Sequence, residues 1–180
     1  MKINKLFLAM VIGAGALASQ FASAAPTTGN ITFNGALTAD TCVVTNGTSG
    51  NITVTLPTLP AANLSAGGTT AGSTPFQIVL TSCPTLIPVR ALFSAGSAGI
   101  TTDRLNNTGS AAKVQIQLLN SASTVMTLSQ TTAATQGDLQ VVTDATGAAT
   151  LKYTAQYYAN GGASSAGSVT SNAVYTIVFN

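Results

Sequence analysis

Apolar residues recur at every second position along most of this chain: Ile31-Phe33, Ile52-Val54-Leu56, Phe76-Ile78-Leu80, Val89-Ala91-Phe93, Val114-Ile116-Leu118, Leu139-Val141, Leu151-Tyr153-Ala155-Tyr157 and Ala173-Tyr175-Ile177-Phe179. A period of two places those side chains on one face of a strand, and no stretch sustains the three-and-four spacing of an amphipathic helix. Between the runs lie turn formers, such as Asn46-Gly47-Thr48-Ser49-Gly50, Asn106-Asn107-Thr108-Gly109 and Asn160-Gly161-Gly162. The compositionally simple stretches 61–74 and 161–171 read as surface loops. Many short strands at short intervals predict an all-β sandwich in one domain.

The first segment does not belong to that pattern. Lys2 and Lys5 precede the apolar run Leu6 to Ala18, which ends in Ala22-Ser23-Ala24. This is the layout of a secretory leader, predicted to be cut after Ala24. The run is broken by Gly13 and Gly15 and falls short of the roughly 20 apolar residues a membrane span needs. Export changes how the cysteines are read. Cys42 and Cys83 are the only two, and a disulfide persists in an exported compartment. A bridge closing a loop of that size restrains the unfolded chain by roughly 4 kcal/mol. A redox-active pair would call for a close CxxC spacing instead.

Composition narrows the function. With 46 % hydrophobic residues the chain can build a core, yet it holds six Lys or Arg, four acidic residues and no His. Without the leader, Arg90, Arg104, Lys113 and Lys152 balance Asp40, Asp103, Asp138 and Asp144. A neutral chain of this kind cannot neutralise a phosphate backbone, so nucleic acid is not expected as a partner. With no His, a hydrolase could use only a Ser–Lys arrangement, and Lys113 and Lys152 sit in alternating runs where a solvent-facing lysine is ordinary. Asp103 beside Arg104 reads as a turn with solvated charge. No catalytic residue, metal site or cofactor is predicted. The five Asn-x-Ser/Thr matches are ascribed to a Ser- and Thr-rich composition. No side chain has an ordinary pKa between about 5 and 8, so an assembly of this protein should be insensitive to pH there.

The two ends of the exported chain stand out. In the run from Gly29 to Cys42, alternation puts Ile31, Phe33, Gly35, Leu37 and Ala39 on one face. Gly35 interrupts an apolar stripe: it marks either a bulge in an ordinary first strand or a place where another backbone or bulky side chain comes close. The final run, Ala173 to Phe179, carries no charge and no proline. An exposed edge of that kind is a template for pairing with another chain, so the strand is expected to be central or covered.

Together the leader, the Gly-x-Ile-x-Phe-x-Gly-x-Leu run leading to Cys42, the second cysteine at Cys83, the stretch Tyr153 to Ala159 and the last strand resemble the major pilins of the type 1 fimbrial family, built by the chaperone–usher route. The resemblance implies an incomplete immunoglobulin-like β-sandwich completed by a donor strand from a neighbouring subunit. It implies a leader at 1–24, a donor extension at 25–41 and a pilin domain at 42–180. Ile31, Phe33, Leu37 and Ala39 would face the acceptor groove, with Gly35 where the groove is shallow. Tyr175, Ile177 and Phe179 would line the acceptor edge, bound first by a periplasmic chaperone and then, through an outer-membrane usher, by the next pilin at the cell surface. Phe179 departs from the tyrosine usual in the family at the next-to-last position and lacks its hydroxyl. The implied function is a structural shaft subunit. A minor or adaptor subunit near the tip is the alternative, and a carbohydrate-binding adhesin or a secreted enzyme fits less well.

Overall fold

In a computed structural model of the protein, the described residues are 30–35 and 41–179. The chain divides into two compact units, residues 1–37 and 38–180. Within the first, residues 30–35 form no regular secondary structure, and Ile31 and Phe33 expose their side chains. The leader, its cut after Ala24, Leu37 and Ala39 lie outside the described residues.

The second unit is a sandwich of two antiparallel sheets. The larger contains β1 (Val43–Val44), β2 (Thr70–Thr81), β4 (Ile100–Thr101), β5 (Arg104–Asn106), β6 (Val114–Leu119) and β8 (Ala149–Ala159), in the order β1-β2-β8-β6-β5-β4. The smaller contains β3 (Pro88–Ala95), β7 (Val141–Val142) and β9 (Ala173–Phe179), in the order β7-β3-β9. Alternation decides which side chains meet between them. Ile78 and Leu80 of β2, Ile116 and Leu118 of β6, and Leu151, Tyr153 and Ala155 of β8 pack against Val89, Ala91 and Phe93 of β3. Tyr153 stands edge-on to Phe93, with ring centroids 5.0 Å apart, the T-shaped arrangement that aromatic quadrupoles favour.

Several expectations need correction. The stretch 61–74 is not wholly a loop: Ala61–Leu64 form a single 3-10 turn and β2 begins at Thr70. A bulge between Ala71 and Thr74 admits it. There Gly72 has φ of 69°, and a Cβ would meet the Tyr157 ring at 2.9 Å, so the close approach requires glycine. The run Leu139-Val141 yields only the short β7, with Leu139 exposed. Lys113 lies just before β6 with φ of 58°, not within a strand. Asp103 and Arg104 are more tightly held than a solvated turn. Asp103 accepts hydrogen bonds from the Ser129 amide, at 3.0 Å, and from its hydroxyl, while the Arg104 guanidinium lies 3.7 Å from the centre of the Tyr158 ring.

The strand β3 pairs with β7 only at Pro88 and Val89, yet its edge beyond them is satisfied. The Ala91 amide donates to the Asp138 carboxylate at 2.8 Å and the Phe93 amide to Gln136 Oε1 at 3.0 Å. Gln136 Nε2 returns a bond to the Phe93 carbonyl at 2.6 Å. Two side chains thus do the work of a strand, which keeps the buried backbone polar groups paired.

Cys42 and Cys83 form a disulfide spanning 41 residues, and it ties the start of the sandwich to the end of β2. Replacing both by serine should lower the unfolding free energy by about 4 kcal/mol, read from urea denaturation of the purified protein.

Candidate functional site

The alternation of β9 turns Ala173, Tyr175, Ile177 and Phe179 towards the core, where all four are half-buried. Its register on β3 pairs Phe93 with Tyr175, Ala91 with Ile177 and Val89 with Phe179. On its other side β9 has no ladder partner among the described residues. A second unpaired stretch faces the same space. In residues 51–59, Ile52, Val54 and Leu56 are half-buried against the core and alternate with exposed Thr53 and Thr55. This is the burial pattern of a strand. Yet among the described residues no amide or carbonyl from Ile52 to Leu59 enters a backbone–backbone hydrogen bond.

Between these two edges runs an open groove of about 690 Å³, walled by Ile52, Val54, Leu56 and Tyr175 and reaching down to Phe76 and Phe93. Past Leu56 and Tyr157 it continues into a hollow of about 430 Å³ bordered by Leu59, Leu64 and Val169. The Tyr175 hydroxyl donates to the Gly50 carbonyl and ties β9 to the turn before Ile52. Burial pushes the Tyr175 pKa up. The Tyr157 hydroxyl holds the Pro57 carbonyl at 3.2 Å. Among the described residues no Asp, Lys or Arg lines the groove. It can bury alternate apolar side chains and pair with an extended backbone on both sides.

Of the residues expected at the acceptor edge, Tyr175 lines the groove. Ile177 and Phe179 pack against the core further along β9. Of the expected donor residues, Ile31, Phe33 and Gly35 are among the described residues. Ile52, Val54 and Leu56 were legible as an alternating run, but their place as the second groove wall was not foreseen. The signal for it was Pro57 and Pro60, which supply no amide to a continuing ladder. Among the described residues no group of three or more His, Cys, Asp or Glu could hold a metal.

One buried carboxyl is tied to β3 and β8. Asp138 is buried, with the Ala91 amide and the Tyr153 hydroxyl, at 3.1 Å, on its carboxylate. Burial pushes its pKa up, although both hydrogen bonds and nearby Arg90 oppose the shift. The same burial, with the adjacent carboxylate, pushes Tyr153 up. Half-buried Asp103 and exposed Asp144 are instead held down by hydrogen bonds, from Ser129 and from Thr146 and Ala148 respectively. Among the described carboxyls with a resolved shift, Asp138 is the one pushed up.

The sandwich is immunoglobulin-like and, among the described residues, lacks a strand along one side of β9. Comparisons with known proteins give the class its identity. Residues 56–180 match the family described as type-1 fimbrial protein, A. Over 160 residues the chain is 44 % identical to the F17 fimbrial protein of Escherichia coli, covering 84 % of this chain and 87 % of that protein. It is 40 % identical over 158 residues to the major fimbrial subunit SMF-1 of Stenotrophomonas maltophilia, covering 84 % of this chain and 92 % of that one. The crystal structure of the P pilus rod subunit PapA shares the fold, with a TM-score of 0.61 at 16 % identity, over 77 % of this chain and 99 % of that one. The chain belongs to the type-1 fimbrial protein family and is a structural subunit of a fimbria.

A carboxyl whose pKa is raised on folding contributes stability below its unfolded pKa and loses that contribution as pH rises through the folded value. Asp138→Asn retains an acceptor for Ala91 and Tyr153 and removes the titration. The melting temperature of Asp138→Asn minus that of the wild type should be constant below the ordinary carboxylate pKa and grow as pH rises above it. Thermal melts from about pH 3 to 8 check this, and a difference that shrinks with rising pH would contradict it.

Proposed function

We propose that the protein is a shaft subunit that polymerises head to tail by donor-strand exchange. Residues 25–41 of one copy fill the groove of the next. The observation that carries this reading is the groove itself, walled by the apolar side chains Ile52, Val54, Leu56 and Tyr175 and bordered, among the described residues, by backbone without ladder partners on both sides. A strand with apolar side chains at alternate positions satisfies both needs at once. Ile31, Phe33, Gly35, Leu37 and Ala39 supply that alternation within the same chain. Burying Ile31, Phe33 and Leu37 contributes on the order of 5–9 kcal/mol before ordering costs.

The remaining parts follow from the same incompleteness. A subunit with this groove open would aggregate, so a periplasmic chaperone covers β9 until an outer-membrane usher passes the subunit to its neighbour. Residues 1–24 serve as the leader for export, residues 42–180 as the pilin domain, and the product is a cell-surface fimbria. The shaft role is the reading taken, in keeping with the likeness to a subunit described as major. Neither metal nor cofactor enters the reading, and the role proposed is structural.

The test is a protein lacking residues 25–41, produced with its chaperone and challenged with a peptide of residues 26–40 or its Gly35→Arg version. The native peptide should displace the chaperone and raise the melting temperature, and the Gly35→Arg peptide should do neither. A truncated protein that is stable alone and binds no peptide would show the sandwich to be complete and the reading wrong.

A further inference from the structure

We propose that the end of the sandwich bearing the disulfide is a second docking surface between successive copies of this chain, with Leu86 as its apolar contact. The proposal rests on the donor-strand reading above.

The loop from β2 to β3 is firmly anchored. Cys83 is held by the disulfide and by its amide bond to the Gly147 carbonyl at 3.0 Å. Buried Thr143 accepts from the Ile87 amide at 3.0 Å and donates its hydroxyl to the Pro84 carbonyl at 2.7 Å, while its own carbonyl receives the Leu86 amide at 3.2 Å. On this fixed loop Leu86 has φ of 59°, in the left-handed region. That conformation costs a residue with a Cβ roughly 1–2 kcal/mol, and Gly or Asn adopts it more readily. Leu86 is nevertheless 69 % exposed. Val43, beside Cys42, and Val142, beside Thr143, are 55 % and 54 % exposed at the same end. A leucine held outward at a conformational cost, with aliphatic neighbours, gains nothing from water and fits an apolar partner.

Chain length identifies the partner. Only residues 40 and 41 separate Ala39, the last groove-facing donor position, from Cys42. Three Cα steps span at most about 11 Å. The end of the neighbour's groove that receives Ala39 therefore lies within that distance of Cys42. Cys42 is bonded to Cys83, three residues before Leu86. Donation thus draws a second copy against this end of the sandwich. At one end that groove offers Leu59, Leu64 and Val169 among polar neighbours such as Thr58 and Ser165, and beyond Tyr175 β9 carries Phe179. With Leu86 seated there, the joint between subunits is fixed at a second point besides the two-residue connector.

Leu86→Asn tests this in the full chain, because asparagine suits the left-handed backbone and lacks the apolar contact. The variant should bind the 26–40 peptide as the wild type does and melt at an equal or higher temperature when complemented by it. Its fibres should dissociate at a lower temperature than wild-type fibres. A benzophenone side chain placed at position 86 should cross-link, in fibres only, to residues at a groove end of the neighbouring subunit. Normal peptide binding with unchanged fibre dissociation, or cross-links that are absent or map away from the groove ends, would overturn this proposal alone. Failure of the wild type to bind the peptide would overturn the donor-strand reading, and this proposal with it.

Discussion

The sandwich depends on a strand that its described residues do not supply. Along one side of β9, backbone groups without ladder partners lie next to the apolar walls formed by Ile52, Val54, Leu56 and Tyr175. Water can satisfy the backbone, at the cost of wetting apolar side chains. Collapse could bury the side chains, at the cost of stranding backbone donors and acceptors. Only an extended segment with alternating apolar residues resolves both. The rest of the sandwich needs no such completion, since its core is continuous across both sheets.

How the incompleteness is confined to one edge is visible at β3. Its pairing with β7 ends after Val89, and further along Asp138 and Gln136 lend side-chain oxygens to the Ala91 and Phe93 amides. The second edge of the smaller sheet is thereby closed without a second open groove. That closure places acceptor oxygens in buried positions, and where the acceptor is the Asp138 carboxyl, burial moves its pKa upward. The turn at Gly50, bonded by Tyr175, and the Tyr157 bond to Pro57 hold the groove's second wall in place. The groove is therefore shaped before any strand enters it.

Much of this was legible in the sequence because period two is a strong signal wherever one face is buried. The runs at 76–80, 89–93, 114–118, 151–157 and 173–179 all became strands. The run at 52–56 keeps the alternation without the ladder, since burial writes the pattern and pairing does not. The short β1, β4 and β5 carry too few residues to show a period. Gln136 and Asp138 could not have been assigned, because a polar residue reads as exposed until its partner, here a strand 43 to 47 residues away, is known. The bulge at Gly72 was hidden for a similar reason: only the Tyr157 ring across the sheet explains it.

The geometry of the groove also bears on the form an assembly takes. In the proposed exchange the donating segment and the receiving groove are different surfaces of one chain, so each contact leaves a free groove at one end and a free extension at the other. A heterologous contact of that kind extends without limit unless its rotation closes a ring. The connector of two residues after Ala39 prevents the donor and acceptor bodies from separating, which makes the relative orientation of successive subunits a property of the surfaces that meet around Cys42 and Cys83. In the proposed assembly strand insertion would supply the cohesion of the fibre, and the few side chains that this end of the sandwich presents to its neighbour, Leu86 foremost, would set its stiffness.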